Sequence, residues 1–350
     1  MKINTNSFVV YSTITCIKSL WQTLYDQNTR FSFYQSYVWN ECLEKRQRKQ
    51  FVRSEKLEYW VFNERVIFPL LFDNELCQIH LLGYADSSDY LSPIFSNEDR
   101  ELVEEAILSL HQQLSAYQLI FSKISEKSAF YAVLEKLHRK LYFEKTSSVC
   151  MCVDTQTQTP TFYDSLSKSA RNTYRTACNR IKKQGWKCEV SVSFTCLSAR
   201  KATQLYKLYR LRRQDCDSRA QWYKKLLFFI KRILEISGLY RSHDPLTSYS
   251  QLCPVFLAQV HINGELAGFC EGGLSNDGHT LCVSRVATNK TYYHYSPGQI
   301  LFIRAIDEIK HTVRYFDLTR GNENYKIKLG AKPHYNYIFT IRNFSEVKND

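Results

Sequence analysis

The most constraining feature of this sequence is an ordered series of strand, turn and helix patterns toward its C-terminal end. Two apolar runs flank Asn263-Gly264, a two-residue loop that favours a type I′ turn and therefore an antiparallel hairpin. Pro297 stands where a helix tolerates proline best, in the first turn. The series predicts hairpin, strand, helix and strand, and therefore an α/β domain, over Val255–Ile262, Glu265–Gly272, Thr280–Val286, Pro297 to about Ile309 and Tyr315–Leu318.

The first half of the sequence also alternates between helix and strand patterns. Glu98–Ala116 repeats apolar residues at the spacing of a helix that lies on a sheet. Leu57–Phe62 and Arg65–Phe72 predict two strands. Ser128–Leu141 predicts a second helix. Both halves therefore belong to the α/β class.

The length of the chain sets its domain organisation. A chain of 350 residues usually exceeds one hydrophobic core, and two cores are expected. Asp154–Pro160 is polar and rich in threonine and glutamine, which is typical of a linker. We predict two domains, 1–155 and 160–350.

Composition excludes several protein classes. No apolar run approaches the roughly 20 residues that a membrane helix needs, and Met1–Val10 is not followed by a secretory apolar segment. We expect a cytoplasmic protein with no integral membrane segment. The twelve cysteines contain no C-x-x-C pair, which favours free thiols in a reducing compartment. Cys150-Met-Cys152 lacks a histidine cluster, so no metal is predicted.

The net charge of +13 predicts an anionic partner, such as a nucleotide, a phosphorylated sugar, tRNA or an anionic membrane surface. Leu166–Gln184 is an amphipathic, basic helix, and no acidic residue occurs between Leu166 and Lys187. Its side chains, Arg171 and Arg175 among them, are candidates for binding substrate phosphates. A solvated helix face is the alternative.

The turn Ser296-Pro297-Gly298-Gln299 connects a predicted strand to a predicted helix. The first turn of a helix exposes unpaired backbone N–H groups at the positive end of its dipole, and both attract phosphate. Gly298 lets a ligand approach the backbone without a Cβ in the way. The alternative is an ordinary turn.

Several motifs carry a resemblance to a known family. They are Tyr295-Ser-Pro-Gly-Gln-Ile-Leu301, Phe316-Asp-Leu-Thr-Arg-Gly-Asn-Glu-Asn-Tyr-Lys326, Ser169-Ala-Arg-Asn-Thr-Tyr-Arg175, Phe33-Tyr-Gln-Ser-Tyr-Val-Trp39 and Asp89-Tyr90. With them the chain resembles the GNAT acetyltransferase fold, and specifically the CelD/BcsL branch associated with cellulose and exopolysaccharide biosynthesis, a relative of the FemAB aminoacyl transferases. The resemblance covers most of the chain and implies two GNAT-like domains, each with a mixed central sheet flanked by helices.

The resemblance implies acyl-CoA as the donor, bound at the turn by Tyr295, Ser296, Pro297, Gly298, Gln299, Ile300 and Leu301. The general pyrophosphate loop of the fold is Q/R-x-x-G-x-G/A, whereas this chain has Tyr295, Gly298 and Ile300 at the three defined positions. Only the central glycine agrees. Coenzyme A is therefore implied by the branch, and aminoacyl-tRNA is the alternative donor.

Direct attack of an amine or hydroxyl on a thioester requires a base and close positioning of two substrates. Glu271 and Asp317 are the candidate bases. The alternative is that Asp317 braces the Arg320-Gly321 loop and that Glu271 is a solvated carboxylate. A further set would bind the acceptor, close on the donor, or form an internal ion-pair network: Arg285, Arg320, Glu323, Tyr325 and Lys326.

The resemblance thus implies an acyltransferase that moves an acyl group from acyl-CoA to an amine or hydroxyl of a sugar or cell-envelope precursor. A FemAB-like transferase that uses aminoacyl-tRNA is one alternative. A noncatalytic protein that binds nucleic acid or other anionic partners through its basic face is another, because a fold alone does not establish activity.

Overall fold

The computed structural model describes residues 7–49, 55–85, 88–139, 143–216 and 244–341, with side chains through residue 212 in the fourth range. The sequence also predicts a helix over Gln221–Ile236, which lies outside these ranges. The chain forms two compact units. Unit 1 comprises Met1–Thr157, Gly273–Ser284 and Lys310–Asp350, and unit 2 comprises Gln158–Gly272 and Arg285–Ile309.

The chain first passes from unit 1 to unit 2 within the polar segment Asp154–Pro160, and it returns to unit 1 twice. Residues 310–341 therefore belong to the first unit, although they follow the second in sequence. The division of the chain into two independent domains, 1–155 and 160–350, stays a prediction.

The elements are numbered in chain order. The helices are α1 Lys18–Asp26, α2 Tyr37–Gln47, α3 Arg100–Gln113, α4 Ala129–His138, α5 Phe162–Ser165, α6 Lys168–Lys183, α7 Ala199–Cys216, α8 Pro245–Leu252, α9 Pro297–Ile309 and α10 Asn324–Lys328. The strands are β1 Phe8–Tyr11, β2 Glu55–Phe62, β3 Val66–Asp73, β4 Gln78–Leu81, β5 Ile94–Phe95, β6 Gln118–Ser125, β7 Phe143–Asp154, β8 Cys188–Thr195, β9 Val255–Ile262, β10 Glu265–Leu274, β11 Thr280–Thr288, β12 Tyr315–Arg320 and β13 Lys332–Ile341.

Unit 1 contains a mixed sheet. Its strands follow the order β1-β2-β3-β4-β6-β13-β7-β12-β11, and β5 pairs with β3. The pairs β4·β6 and β11·β12 are parallel, and the other pairs within this series are antiparallel. Helix α3 contacts β3 and α4. Of its predicted apolar face, Val103, Ala106, Ile107 and Leu110 are fully buried in the core, and Leu102 is partly buried.

Unit 2 contains the predicted hairpin. Strand β9 pairs antiparallel with residues 265–272 of β10 and, along its other edge, with β8. Asn263 and Gly264 have φ angles of 52° and 79°. Two consecutive positive φ angles are characteristic of a type I′ turn, so the hairpin prediction is confirmed. Helix α9 contacts β8, β9, α5 and α6.

No helix in the described ranges combines the length and apolar character that crossing a membrane requires. The cysteines whose side chains are described are free thiols.

Candidate active site

The predicted donor turn leads directly into α9. Ser296 adopts a left-handed conformation, with φ 47° and ψ 52°, and its carbonyl oxygen accepts hydrogen bonds from the backbone N–H groups of Gln299 and Ile300. Ile300 and Leu301 are fully buried, so their side chains serve packing. The parts of this turn that remain available to a ligand are its backbone and the half-buried residues 295, 296, 298 and 299.

Gly298 is not required by the protein fold itself. Its φ angle lies outside the left-handed region, and a Cβ added there would meet only Thr288 Cγ2, at 3.5 Å. That distance is an ordinary van der Waals contact, so alanine would fit. The missing side chain leaves open the space into which a ligand can approach the backbone.

A groove of about 550 Å³ lies beside this turn within unit 2. Helix α6 supplies most of its lining, and Ser296 completes it. Arg180 Nη1 donates to the carbonyl of His294 at 2.9 Å, and Gln299 Nε2 donates to the carbonyl of Ala170 at 2.9 Å. These two bonds hold α6 against the turn. The groove is lined by polar and basic side chains: Lys168, Ser169, Asn172, Thr173, Thr176, Arg180 and Ser296.

The two predicted phosphate-binding arginines of α6 do not line this groove. Arg171 Nη1 donates to the carbonyl of Asp164 at 2.9 Å, and Arg175 Nη2 donates to the hydroxyl of Tyr163 at 3.1 Å. Both partners belong to α5. A role for these arginines in substrate binding stays a prediction, whereas Lys168 and Arg180 are the cations that the groove contains.

Glu271 lies in a buried ion-pair cluster of unit 2. Arg285 Nη1 donates to Glu271 Oε2 at 3.0 Å, and Arg285 Nη2 contacts Asp244 Oδ2. The Arg285 guanidinium lies 5.4 Å from the ring centre of Tyr206 and 5.2 Å from that of Tyr209. Glu271 is completely buried and Arg285 is 2% exposed. The arrangement matches the internal network that was the alternative to substrate binding for Arg285, and Glu271 is not a solvated carboxylate.

Burial raises the pKa of Glu271 to about 7, and Arg285 opposes this shift. Since the ordinary value is 4.5, the folded chain binds more protons than the unfolded chain between these two pH values. The free energy of unfolding therefore falls as pH rises through this window, by about 2 to 3 kcal/mol between about pH 5 and pH 8. We expect Glu271→Gln to remove this decline in urea denaturation curves. An equal decline in both proteins would contradict the assignment.

Asp317 lies in a different place, a cavity of about 450 Å³ within unit 1. Its Oδ1 accepts hydrogen bonds from the Tyr90 hydroxyl at 2.8 Å and from the Thr319 backbone N–H at 2.7 Å. Its Oδ2 lies 3.3 Å from His334 Nε2. Asp317, Tyr90 and His334 all line the cavity. The sequence pointed to Asp317 and, without a role, to Tyr90, while no local pattern singles out His334.

Two cysteines, Cys152 and Cys282, also line this cavity. Burial raises the pKa of both thiols well above its ordinary value, and the Asp317 carboxylate adds to the shift. Both therefore remain protonated at neutral pH. Because the thiolate is the reactive form of cysteine, neither is suited to act as a covalent nucleophile.

The end of β12 is fixed by a buried lysine. Lys326 is 2% exposed, and its Nζ donates to the carbonyls of Thr319 at 3.3 Å, Arg320 at 2.5 Å and Gly321 at 3.1 Å. It also pairs with Glu323 Oε2 at 3.0 Å. These contacts form the internal ion-pair network that was the alternative to substrate binding for Lys326 and Glu323.

Arg320 belongs to the same end of β12, and its Nε lies 2.7 Å from Asp89 Oδ1. Tyr325 is a half-buried residue of α10. The structure therefore gathers Asp317, Arg320, Glu323, Tyr325 and Lys326 in unit 1. Glu271, Arg285, the donor turn and the arginines of α6 are residues of unit 2. Within the described ranges no group of histidine, cysteine or acidic side chains has the arrangement of a metal site.

Residues 168–327 match the acetyltransferase (GNAT) domain family. This range contains α6, the hairpin, α9, β12 and the groove residues. The match confirms the expectation of a GNAT-type domain and supports a transferase. A comparison with curated proteins gives no match to this sequence.

Solved structures share the fold at low sequence identity. FemX superposes with a TM-score of 0.58 and 8% identity, over 98% of this chain and 99% of FemX. L-PGS from Bacillus licheniformis gives 0.55 and 13%, over 93% and 92%. A conserved protein of unknown function from Bacteroides thetaiotaomicron gives 0.57 and 10%, over 96% and 100%. The predicted α/β class, with mixed strands and flanking helices, is confirmed.

Proposed function

We propose that this chain is an acyltransferase that transfers the acyl group of acyl-CoA to an amine or hydroxyl of a sugar or cell-envelope precursor. The observation that supports this most directly is the groove of about 550 Å³ between α6 and the first turn of α9, within the part of the chain that matches an acetyltransferase domain.

The groove has the chemistry of a phosphate site. Lys168 and Arg180 supply positive charge, and Ser169, Thr173 and Ser296 supply hydroxyl donors. The first turn of α9 adds the positive end of the helix dipole and its unpaired backbone N–H groups. At Gly298 a ligand can approach this backbone closely, because the position has no side chain and no neighbouring atom fills the space that a Cβ would occupy. We assign the donor phosphates to Ser296–Gln299 and these α6 side chains.

The donor assignment is tested by thermal unfolding with acetyl-CoA, a longer acyl-CoA and total tRNA as separate ligands. A ligand that binds only the folded chain at about 100 times its dissociation constant adds about 2.7 kcal/mol to the free energy of unfolding, which corresponds to a rise in Tm of several degrees. We expect acyl-CoA to produce this rise. Acetylation of an amine or hydroxyl acceptor with radiolabelled acetyl-CoA then tests the transfer. If no CoA ester raises Tm, the proposal is wrong.

A second candidate is a FemAB-like transferase that uses aminoacyl-tRNA. The exposed basic residues of α6 favour it, because Lys168, Arg175, Arg180, Lys182 and Lys183 lie on one helix without an acidic residue. RNA binding of this kind releases counterions, so its affinity would fall steeply with salt concentration. A rise in Tm with tRNA, none with CoA esters, and a steep salt dependence would favour this candidate.

A further inference from the structure

The cavity of unit 1 contains a buried histidine with unused hydrogen-bonding capacity. His334 is 4% exposed and lines the cavity. Neither ring nitrogen has a well-aligned hydrogen-bond partner among the residues that the structure describes. A buried polar group is normally paired with protein or ordered water, so each exception calls for an explanation. A bound ligand would supply the missing partner.

The two ring nitrogens of His334 have different surroundings. Nε2 lies 3.3 Å from Asp317 Oδ2, and the other carboxylate oxygen is held by Tyr90 and by the backbone of Thr319. Burial, followed by the Asp317 charge, raises the pKa of Tyr90. Its hydroxyl therefore stays protonated and donates a hydrogen bond to Asp317. With Asp317 fixed in this way, Nε2 is the ring nitrogen that faces an acceptor. Nδ1 is then the ring nitrogen that can accept a hydrogen bond from a ligand.

The lining of the cavity indicates the kind of molecule that would enter. It contains two cations, Arg30 and Lys127, and two carboxylates, Asp277 and Asp317. A balanced set does not favour a polyanion. Serine and threonine hydroxyls, which both donate and accept, and the aromatic rings of Phe31 and Tyr315 complete the wall. Hydroxyls next to an aromatic surface suit a sugar, which has polar groups around an apolar ring face.

We propose that this cavity binds a sugar, that His334 Nδ1 accepts a hydrogen bond from one of its hydroxyl or amine groups, and that Asp317 is the positioning residue that orients His334. This inference rests on the proposed acyltransferase function, in which such a sugar is the acceptor.

The sugar assignment is tested first by binding. D-Glucose, D-glucosamine and N-acetyl-D-glucosamine are each added to the full chain, up to about 50 mM, and thermal unfolding is recorded. We expect at least one of them to raise Tm in the wild type and in Arg180→Ala, which changes only the donor groove. The sugar assignment is overturned if none of the three does so.

The role of His334 is tested by the same thermal unfolding series on variants, with the sugar that binds best. We expect His334→Ala to lose most of the rise in Tm that this sugar produces in the wild type. Asp317→Asn should also reduce the rise. The double variant should lose little more than His334→Ala alone, because the two residues are in contact and act as a unit.

His311→Ala replaces an exposed histidine of the same unit and should keep the full rise in Tm with the sugar. The assignment of His334 is wrong if His334→Ala responds to the sugar as the wild type does. The failure of the proposed function looks different. In that case acetyl-CoA neither raises Tm nor loses its acetyl group with any acceptor, whatever the sugars do.

Discussion

Replacing Gly298 by aspartate should abolish the rise in Tm that acetyl-CoA produces, while the protein without ligand becomes slightly more stable. A carboxylate at this position would face the donor phosphates at close range. Repulsion between like charges a few ångströms apart near a protein surface amounts to several kcal/mol, which predicts at least a 100-fold loss of affinity. Without ligand, the same carboxylate lies in the first turn of α9, where a negative charge stabilises a helix by about 0.3 to 1 kcal/mol.

Thermal unfolding with and without acetyl-CoA measures both effects in one experiment. Gly298→Ala is the matched control, since its Cβ makes only an ordinary contact with Thr288. It should lose less than tenfold in affinity, because it adds bulk without charge. A Gly298→Asp protein that keeps its response to acetyl-CoA would place the donor phosphates elsewhere. A protein that loses the response because it no longer folds would instead show a lowered Tm without ligand.

Replacing Lys326 by methionine should lower the free energy of unfolding by about 3 to 5 kcal/mol, because three partly buried carbonyls lose their donor. Methionine keeps much of the apolar stem but removes the buried ammonium group. The carbonyls of Thr319, Arg320 and Gly321 then lose their shared donor, and a buried acceptor without a partner costs about 1 to 3 kcal/mol. Glu323 also loses the cation with which it pairs.

Urea denaturation of the wild type and Lys326→Met measures this loss. Glu323→Gln is the matched control, because it alters the same ion pair from its exposed side. The Glu323 side chain is 56% exposed, so the pair itself should contribute less than about 1 kcal/mol. Similar losses in the two variants would mean that the ion pair, rather than the three carbonyl contacts, provides the stability.

The local part of the fold could be predicted from the sequence. Asn263-Gly264 defines its turn through the φ angles that its two residues tolerate, and Pro297 marks the start of α9 through its missing N–H. Strand β8 was not predicted, although Cys188–Thr195 alternates apolar and polar residues, which is the pattern of a half-exposed strand. None of its eight residues is buried, and β8 pairs with the hairpin through β9.

The sites were harder to predict than the elements, because they depend on contacts between distant parts of the chain. Asp317 was found through its motif, but its partners lie far away in sequence: Tyr90 precedes it by 227 residues. His334 follows Asp317 on another strand and belongs to no motif. The sequence pointed to Lys326 and Glu323 as site residues. Their contacts in the folded chain show that they fix the end of β12.

The position of β13 has a consequence for the synthesis of the protein. This strand is the last in sequence, but it lies between β6 and β7 inside the sheet of unit 1. Until its residues leave the ribosome, β6 and β7 cannot join through it, and each presents an unpaired edge to other chains. Residues 158–309 contain all of unit 2 and are synthesised earlier. The nascent chain can therefore complete its second unit before the central strand β13 of its first unit has been synthesised. We expect aggregation chiefly during that interval.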